Sequence, residues 1–404
     1  MIVFIYNSFN DPLFQNLVYQ YILTQTEKHS IVFHLITFEQ PEYHIPASKK
    51  EEIKSLLKKK GIIWYPLSFH TGRLLLLKKL YDLINAIFLV LSIRLRHQTK
   101  AIFAFANVAA AYSIIFAKLF RMKLIIYSYE PHSEFMAELG IWSRRSLKFK
   151  ILNWLEHQAG MHADYIMTGT KFMVDRLLKV GSNAKVFRAP TAVDPDDFYF
   201  RPEGRKRIRN QLKINDRKVV LYIGKFGDLY YRHEIIDVFK GINQAIPEAF
   251  FIVVTKYDHK EIRLWFEERG ISTDNYYLTS DLTNEEVKEY ISAADIGISG
   301  VPPTPSQKFR SPTKVAEYLL CGLPYITARG VSEDDLVAEK DGVGVVLDEF
   351  NMFYLEQNLV RIRKLLDVPN DQRRNEIRKE GLEYRSRERI DSYLGLICNE
   401  YSYG

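Results

Sequence analysis

Short apolar runs alternate along this chain with stretches whose apolar residues recur every three to four positions. The short runs predict strands at 2–6, 31–36, 62–65, 101–105, 124–127 and 165–168. Helical spacing lies between them at 14–26, 74–96, 109–120, 146–161 and 171–180. Runs that are apolar at nearly every position mark strands buried on both faces, hence a parallel sheet covered by helices. Residues 186–190, Val-Phe-Arg-Ala-Pro, predict a short strand ended by proline. After a basic, polar stretch at 201–218 the alternation restarts, with strands at 219–223, 250–255, 276–279, 295–299, 325–327 and 343–347. The expected fold is therefore α/β, two Rossmann-like halves joined near residues 190–215. The tail from Glu376 is charged and helical, with Ile390, Tyr393, Leu394 and Ile397 at helix spacing.

The bulk numbers agree with this division. A chain of 404 residues is too long for one ordinary core, so two domains are expected. A hydrophobic fraction of 47% argues against long disordered segments. The formal charge of +7 suits an anionic partner: a nucleotide-sugar, a phospholipid surface or a nucleic acid. Two cysteines, Cys321 and Cys398, cannot build a disulfide framework, and a reducing, cytoplasmic location is the simpler expectation. The first residues lack the basic leader and cleavage site of a signal peptide and read as a buried strand. The longest uncharged run, 101–117, falls just short of the roughly 18 residues of a spanning helix and divides into a strand and a helix. No transmembrane segment is expected.

The richest chemistry lies in SPTKVAEYLLCGLP, residues 311–324. A Pro-Thr start feeds a short helix bearing one acid, Glu317. Cys321-Gly322 ends it, and Leu323-Pro324 leads into the strand Tyr325-Ile326-Thr327. A helix start offers free N–H groups and positive dipole character to a phosphate. A carboxylate one turn inside can accept from sugar hydroxyls. By contrast, no Gly-x-Gly-x-x-Gly and no Walker A text occurs, which argues against a dinucleotide oxidoreductase and a P-loop NTPase. The ten histidines show no His-x-x-x-His spacing, and no Cys-x-x-Cys occurs. Asp194-Pro195-Asp196 spells Asp-x-Asp, yet reads best as a turn or helix start. Cys321, beside Gly322, reads as a small packing residue rather than a nucleophile.

That segment resembles the donor-site signature of retaining glycosyltransferases of the GT-B fold, glycosyltransferase family 4. There the text is Glu-Gly-Phe-Gly-Leu-x-x-x-Glu followed by a small-residue-Gly-x-Pro turn. Other pieces resemble the family in order and spacing. Leu155-Glu156-His157-Gln158 through Ile166 is similar to its last N-domain helix and strand. KVFRAPTAVDPDDF, 185–198, is similar to its interdomain crossover, with Thr191-Ala192 where Asn-Gly is common. Leu221-Tyr222-Ile223-Gly224-Lys225 resembles the first strand of its C-terminal domain, and DLTNEEVKEYISAADIGI, 281–298, the helix and strand before the donor loop.

The resemblance implies an active site in the cleft between two Rossmann-like domains: an acceptor domain at 1–190, a nucleotide-sugar donor domain at 191–375, and a helix at 376–404 crossing back to the first. It implies Glu317 on the nucleotide ribose. It implies Lys225, after Gly224, and Arg232 as cations facing the diphosphate, where they would neutralise the leaving group. Ser311, Thr313 and Lys314 are candidate donor ligands, although Pro312 removes one backbone donor. Eight positions before Glu317 stands Phe309, where many relatives carry a sugar-binding Glu. A phenyl ring cannot accept from hydroxyls, so sugar recognition must differ. In YSYEPHS, 127–133, direct alignment puts Glu130 where relatives have a His beside the reacting sugar, and His132 lies two residues on. Both are catalytic candidates at the carboxyl edge of a parallel strand.

Residues 74–96, LLLLKKLYDLINAIFLVLSIRLR, are unusually apolar with cations at Lys78, Lys79, Arg94 and Arg96. They fit either a buried Rossmann helix with basic ends or a helix lying on anionic lipid. The stretch Trp142 to Lys148 is a second basic-aromatic patch. A nucleic-acid partner has no zinc module, RNP text or long Arg stripe to support it. The expectation is a glycosyltransferase that moves a sugar from a nucleoside-diphosphate-sugar to a hydroxyl of a cell-surface glycan or glycolipid, with retention and no obligatory metal or other cofactor. It would be cytoplasmic, with the inner face of the cell membrane a candidate surface. A GT-B sugar epimerase and a non-catalytic GT-B-like nucleotide- or glycan-binding module remain the alternatives.

Overall fold

The computed structural model describes residues 1–29, 31–128, 131–367 and 370–402. The chain divides into two compact units, 1–190 with 388–404, and 191–387.

In the first unit the strands are β1 (Ile2–Ile5), β2 (Phe33–Glu39), β3 (Ile62–Ser68), β4 (Ala101–Phe105), β5 (Lys123–Ser128), β6 (Tyr165–Thr168) and β7 (Lys185–Arg188). They form one parallel sheet in the order β3-β2-β1-β4-β5-β6-β7. The helices are α1 (Tyr19–His29), α2 (Ala47–Lys59), α3 (Leu75–His97), α4 (Asn107–Phe120), α5 (His132–Glu138), α6 (Leu147–His162) and α7 (Lys171–Lys179). The fully apolar runs are the buried central strands: every residue of β1 and β4 is buried. Helix α2 was not foreseen. Its only buried residue is Leu57, so it carries almost no apolar periodicity.

The second unit repeats the plan with β8 (Lys218–Ile223), β9 (Ala249–Val254), β10 (Tyr276–Thr279), β11 (Ile296–Ser299), β12 (Tyr325–Ala328) and β13 (Gly344–Leu347). Its parallel sheet runs β10-β9-β8-β11-β12-β13. The helices are α8 (Pro202–Leu212), α9 (His233–Ala245), α10 (His259–Glu268), α11 (Asn284–Ala293), α12 (Thr313–Leu320), α13 (Asp334–Ala338), α14 (Met352–Asp367) and α15 (Asn370–Arg385). In both sheets the strand order reverses beside the first strand, which leaves a crevice at the carboxyl ends there.

The last helix, α16 (Arg387–Ser402), belongs with the first unit from Glu388 onward. Ile390, Leu394 and Ile397, three of the spaced apolar residues of the tail, are buried. Gln25 Nε2 donates to the Asp391 carbonyl at 3.2 Å, and the Tyr393 ring stacks on Phe187 at 4.7 Å.

Candidate active site

In the second unit the reversal falls between β8 and β11. Strand β8 ends in the turn Gly224-Lys225. The Gly224 N–H donates to the Val254 carbonyl at 3.1 Å, and a Cβ there would come within 3.0 Å of the Tyr222 hydroxyl. That buried hydroxyl donates to the Lys225 carbonyl and pins the turn from beneath. The Lys225 side chain is exposed, with no ion pair among the described residues. Further along the same loop the Tyr231 N–H donates to the Gly300 carbonyl at 2.9 Å. The loops after β8 and β11 are thereby tied together at the crevice.

The loop after β11 runs to α12. Pro312 stands at the N-cap of α12 in an extended conformation, no side chain caps the helix, and its first turn holds no acid. The start of α12 therefore keeps its positive end uncompensated. Glu317 is buried on this helix, and one carboxylate oxygen accepts from Lys314 Nζ at 2.7 Å. Gly322 ends the helix at φ +67°, and a Cβ there would lie 2.4 Å from the Arg374 carbonyl oxygen, so only glycine fits. Cys321 is fully buried and its thiol is pushed up to about 12, which makes it a packing residue.

Ser311 is held inside the fold. Its hydroxyl oxygen accepts from the Thr191 N–H at 2.9 Å and from the Arg385 guanidinium. Thr313 opens α12 and is half-buried. Arg232, at the N-cap of α9, turns towards α10. It donates to the Tyr257 hydroxyl at 2.9 Å, pairs with Glu261, and lies 5.1 Å over the Trp265 ring. Glu261 is the main reason its guanidinium is held above its ordinary range. Phe309 is buried on a short helical turn, Gln307–Phe309. Sequence reasoning missed Gln307, which is fully buried. Its Oε1 accepts from Arg310 at 3.4 Å, and its Nε2 has no partner among the described residues. A polar residue two positions before an apolar replacement of a ligand was the available signal.

In the first unit Glu130 lies outside the described residues. His132 begins α5, edge-on to the Trp142 ring at 5.8 Å. Pro131, at the N-cap, provides no capping side chain. Glu156 of α6 does so instead: it accepts from the His132 N–H at 2.9 Å, from the Ser133 N–H at 3.2 Å and from the Ser133 hydroxyl. The structure thus gives a capping role to an acid that the sequence reading assigned none. A cavity of about 160 Å³ lies alongside, lined by Ser128, Pro131, Glu134, Asn153, Glu156 and Arg176 among others.

The residues of the second unit sort into three groups. Gly224 and Lys225 form the turn after β8, whose loop is tied to the β11 loop through Tyr231, and Lys314 and Glu317 touch each other on α12. Arg232 and the Ser311 hydroxyl are engaged elsewhere. Residues 204–383, nearly all of this unit, match the family described as Glycosyl transferases group 1. The second unit is thus similar to group 1 glycosyltransferase domains. Solved structures of low identity share the fold over the whole chain, which is GT-B. HepE from Anabaena, in complex with UDP, superposes with a TM-score of 0.68 at 14% identity, covering 99% of each chain. Sucrose-phosphate synthase from Thermosynechococcus elongatus gives 0.69 at 14%, covering 99% of this chain and 98% of that one. WaaG, a glycosyltransferase involved in lipopolysaccharide biosynthesis, gives 0.66 at 15%, covering all of both. No curated protein sequence matches the chain. Against this likeness Glu317 and Lys225 gain their interest: a buried acid on the helix after the β11 loop, and an exposed cation after β8, without an ion pair among the described residues.

Proposed function

We propose that the chain transfers a sugar from a nucleoside-diphosphate-sugar to a hydroxyl of a cell-surface glycan or glycolipid, with retention at the anomeric carbon. The observation that carries this reading is the buried Glu317 on α12, a helix whose start no side chain caps, within residues that match the Glycosyl transferases group 1 family. Glu317 accepts from the ribose hydroxyls. As the bond from the anomeric carbon to the diphosphate breaks, the acceptor oxygen joins that carbon on the same face and its proton passes to the departing phosphate oxygen. Negative charge then grows on the diphosphate, where Lys225 and the start of α12 oppose it. Arg232 joins them only by giving up Glu261. These groups supply the charge without an obligatory metal. His132 hydrogen-bonds a hydroxyl of donor sugar or acceptor, and the free Nε2 of Gln307 donates to a sugar hydroxyl oxygen, a contact of opposite polarity to the carboxylate that Phe309 cannot provide. Retention rests on the resemblance to family 4.

HepE was solved with UDP and with UDP-glucose, so uridine diphosphate donors come first in the test. The experiment is turnover of a panel of UDP-, GDP- and dTDP-sugars, with the anomeric configuration of the product read by NMR. Phe309 favours a second reading, a module that binds nucleotide or glycan without turnover. Binding of a donor with no turnover on any acceptor would select it. The proposed location is the cytoplasmic face of the membrane. The net positive charge supports it, and no helix among the described residues is long and apolar enough to cross a membrane.

A further inference from the structure

Helix α3 is apolar on two opposite faces. Ala86, Val90 and Ile93 are buried together with Asp82, and their spacing of three and four residues makes one stripe. Leu77, Tyr81, Ile84, Phe88 and Leu95 recur with the same helical spacing, about half a turn away. All are exposed, Phe88 by 67% and Leu95 by 71%. Neither expectation for this segment holds alone: it is a packed Rossmann helix that also turns an apolar stripe to solvent.

Helix α6 does the same. Leu147, Ile151 and Trp154, at i, i+4 and i+7, are exposed, Trp154 by 59%. The two helices share a side of the sheet. The steps from β3 to β4, β4 to β5 and β5 to β6 all run the same way across the strand order, so their right-handed crossovers put α3, α4 and α6 on one face. Helix α4 packs against both neighbours.

We infer that this face, formed by the outer stripes of α3 and α6, is where the protein lies on an anionic lipid bilayer. The inference rests on the peripheral placement proposed above and not on sugar transfer. Charge selects the occupant. Each helix has a single acid, and both turn inward: Asp82 is buried against His70 and Lys79, and Glu156 caps α5. Lys78, Arg94 and Arg96 flank the α3 stripe, and Lys148 and Lys150 flank that of α6. Apolar stripes bordered by long cations sink into the headgroup boundary while the charges reach phosphate. A second copy of this face would instead bring cations against cations.

The test is co-sedimentation of the full chain with phosphatidylcholine vesicles, with and without phosphatidylglycerol, at low and high salt. Binding only to the anionic vesicles, weakened by salt, is expected. Lys78→Glu with Arg96→Glu should lower partitioning by about fivefold or more per charge. Leu77→Ser with Phe88→Ser should abolish it, and Trp154→Phe should remove a lipid-induced blue shift in emission. Equal binding to neutral vesicles, or none to either, overturns the inference. So does a salt-stable dimer that Phe88→Ser dissolves, which would make the face a contact between copies. Nucleotide calorimetry on the same variants reads the second unit, so loss of lipid binding at unchanged nucleotide affinity separates this inference from the donor reading.

Discussion

Arg385 grips Ser311 in the interior of the second unit. One nitrogen of its fork donates to the Ser311 hydroxyl and to the Thr191 carbonyl at 3.0 Å, and the other pairs with Asp334. Arg385 is entirely buried, and Ser311 directly precedes Pro312, the N-cap position of α12. The group that fixes the approach to α12 is therefore an arginine at the far end of the second unit's chain.

Replacing Ser311 with Ala leaves the Thr191 N–H and an Arg385 donor without a partner inside the fold. A loss of about 1–3 kcal/mol in stability is expected, read by denaturant melts. Arg385→Lys keeps the charge but cannot bridge three acceptors. Its nucleotide affinity should fall by about tenfold or more. A variant that is destabilised yet binds nucleotide as well as the parent would limit Arg385 to scaffolding.

Burial pushes the Asp334 carboxyl up from 3.8 to about 6 against the pull of Arg385, and Asp335 and Glu333 add to the push. The folded chain thus holds this proton more tightly than the unfolded chain does. The cost of ionising Asp334 is full above about pH 6 and is relieved as pH falls towards 3.8. Ligand binding should move the other way, because protonation removes the counter-charge of Arg385 and loosens its hold on Ser311. Nucleotide affinity is expected to weaken on acidification through about pH 6. In Asp334→Asn it should be weaker throughout and flat across that range. Calorimetry in matched buffers checks both, and an unchanged slope in the variant would detach Asp334 from the donor loop.

Glu317→Ala should weaken nucleoside-diphosphate binding by at least tenfold, about 1.4 kcal/mol. Its partner Lys314 is part-exposed and finds water, so the melting temperature should hardly move. Full affinity in the folded variant would remove the ribose assignment.

Lys225→Ala should lower kcat by roughly 10²-fold or more, because the diphosphate charge it opposes grows in the transition state. The side chain is exposed and unpaired among the described residues, so stability should not change. Arg232→Ala should act in the same direction but more weakly, since Glu261 already occupies its guanidinium. Glu261→Gln is the informative companion: freeing Arg232 should raise turnover if it reaches the diphosphate, and leave it unchanged if it does not.

The strands were legible because a strand buried on both faces must be apolar at nearly every position, as β1, β4 and β9 are. The α12 segment was legible because a helix start, an acid and a glycine stop are local events. Arg385 was not. It stands in a run of charges that reads as a solvated surface, and its partners Asp334, Ser311 and Thr191 lie 51, 74 and 194 positions away. Nothing local distinguishes an arginine buried by distant acceptors from one in water. Helix α3 was ambiguous for the opposite reason. Apolar residues on both faces satisfy a buried helix and a lipid-facing one equally, and only the packing of α3 against β3 and α4 decides which face is covered.

The last prediction concerns Glu156 and the start of α5. A helix with Pro131 at its N-cap has no capping side chain of its own, and a carboxylate from α6 reaches across to the His132 and Ser133 N–H groups. Asn153, also on α6, donates to the Ser133 hydroxyl at 3.1 Å, so two residues one turn apart fix this helix start. Glu156→Gln keeps one carbonyl acceptor but loses the charge that favours a helix N-terminus, and its amide hydrogens meet donors. A stability loss of about 1–2 kcal/mol is expected. If His132 contacts a sugar or acceptor hydroxyl, transfer should fall with the aim of its ring, while nucleotide affinity, a property of the second unit, stays within about twofold. His132→Ala should lower transfer by about tenfold or less without the stability loss. Initial transfer rates, nucleotide calorimetry and melts on the two variants separate the outcomes. Transfer lost in Glu156→Gln but intact in His132→Ala would mean that Glu156 holds the fold and that the imidazole takes no part in the reaction.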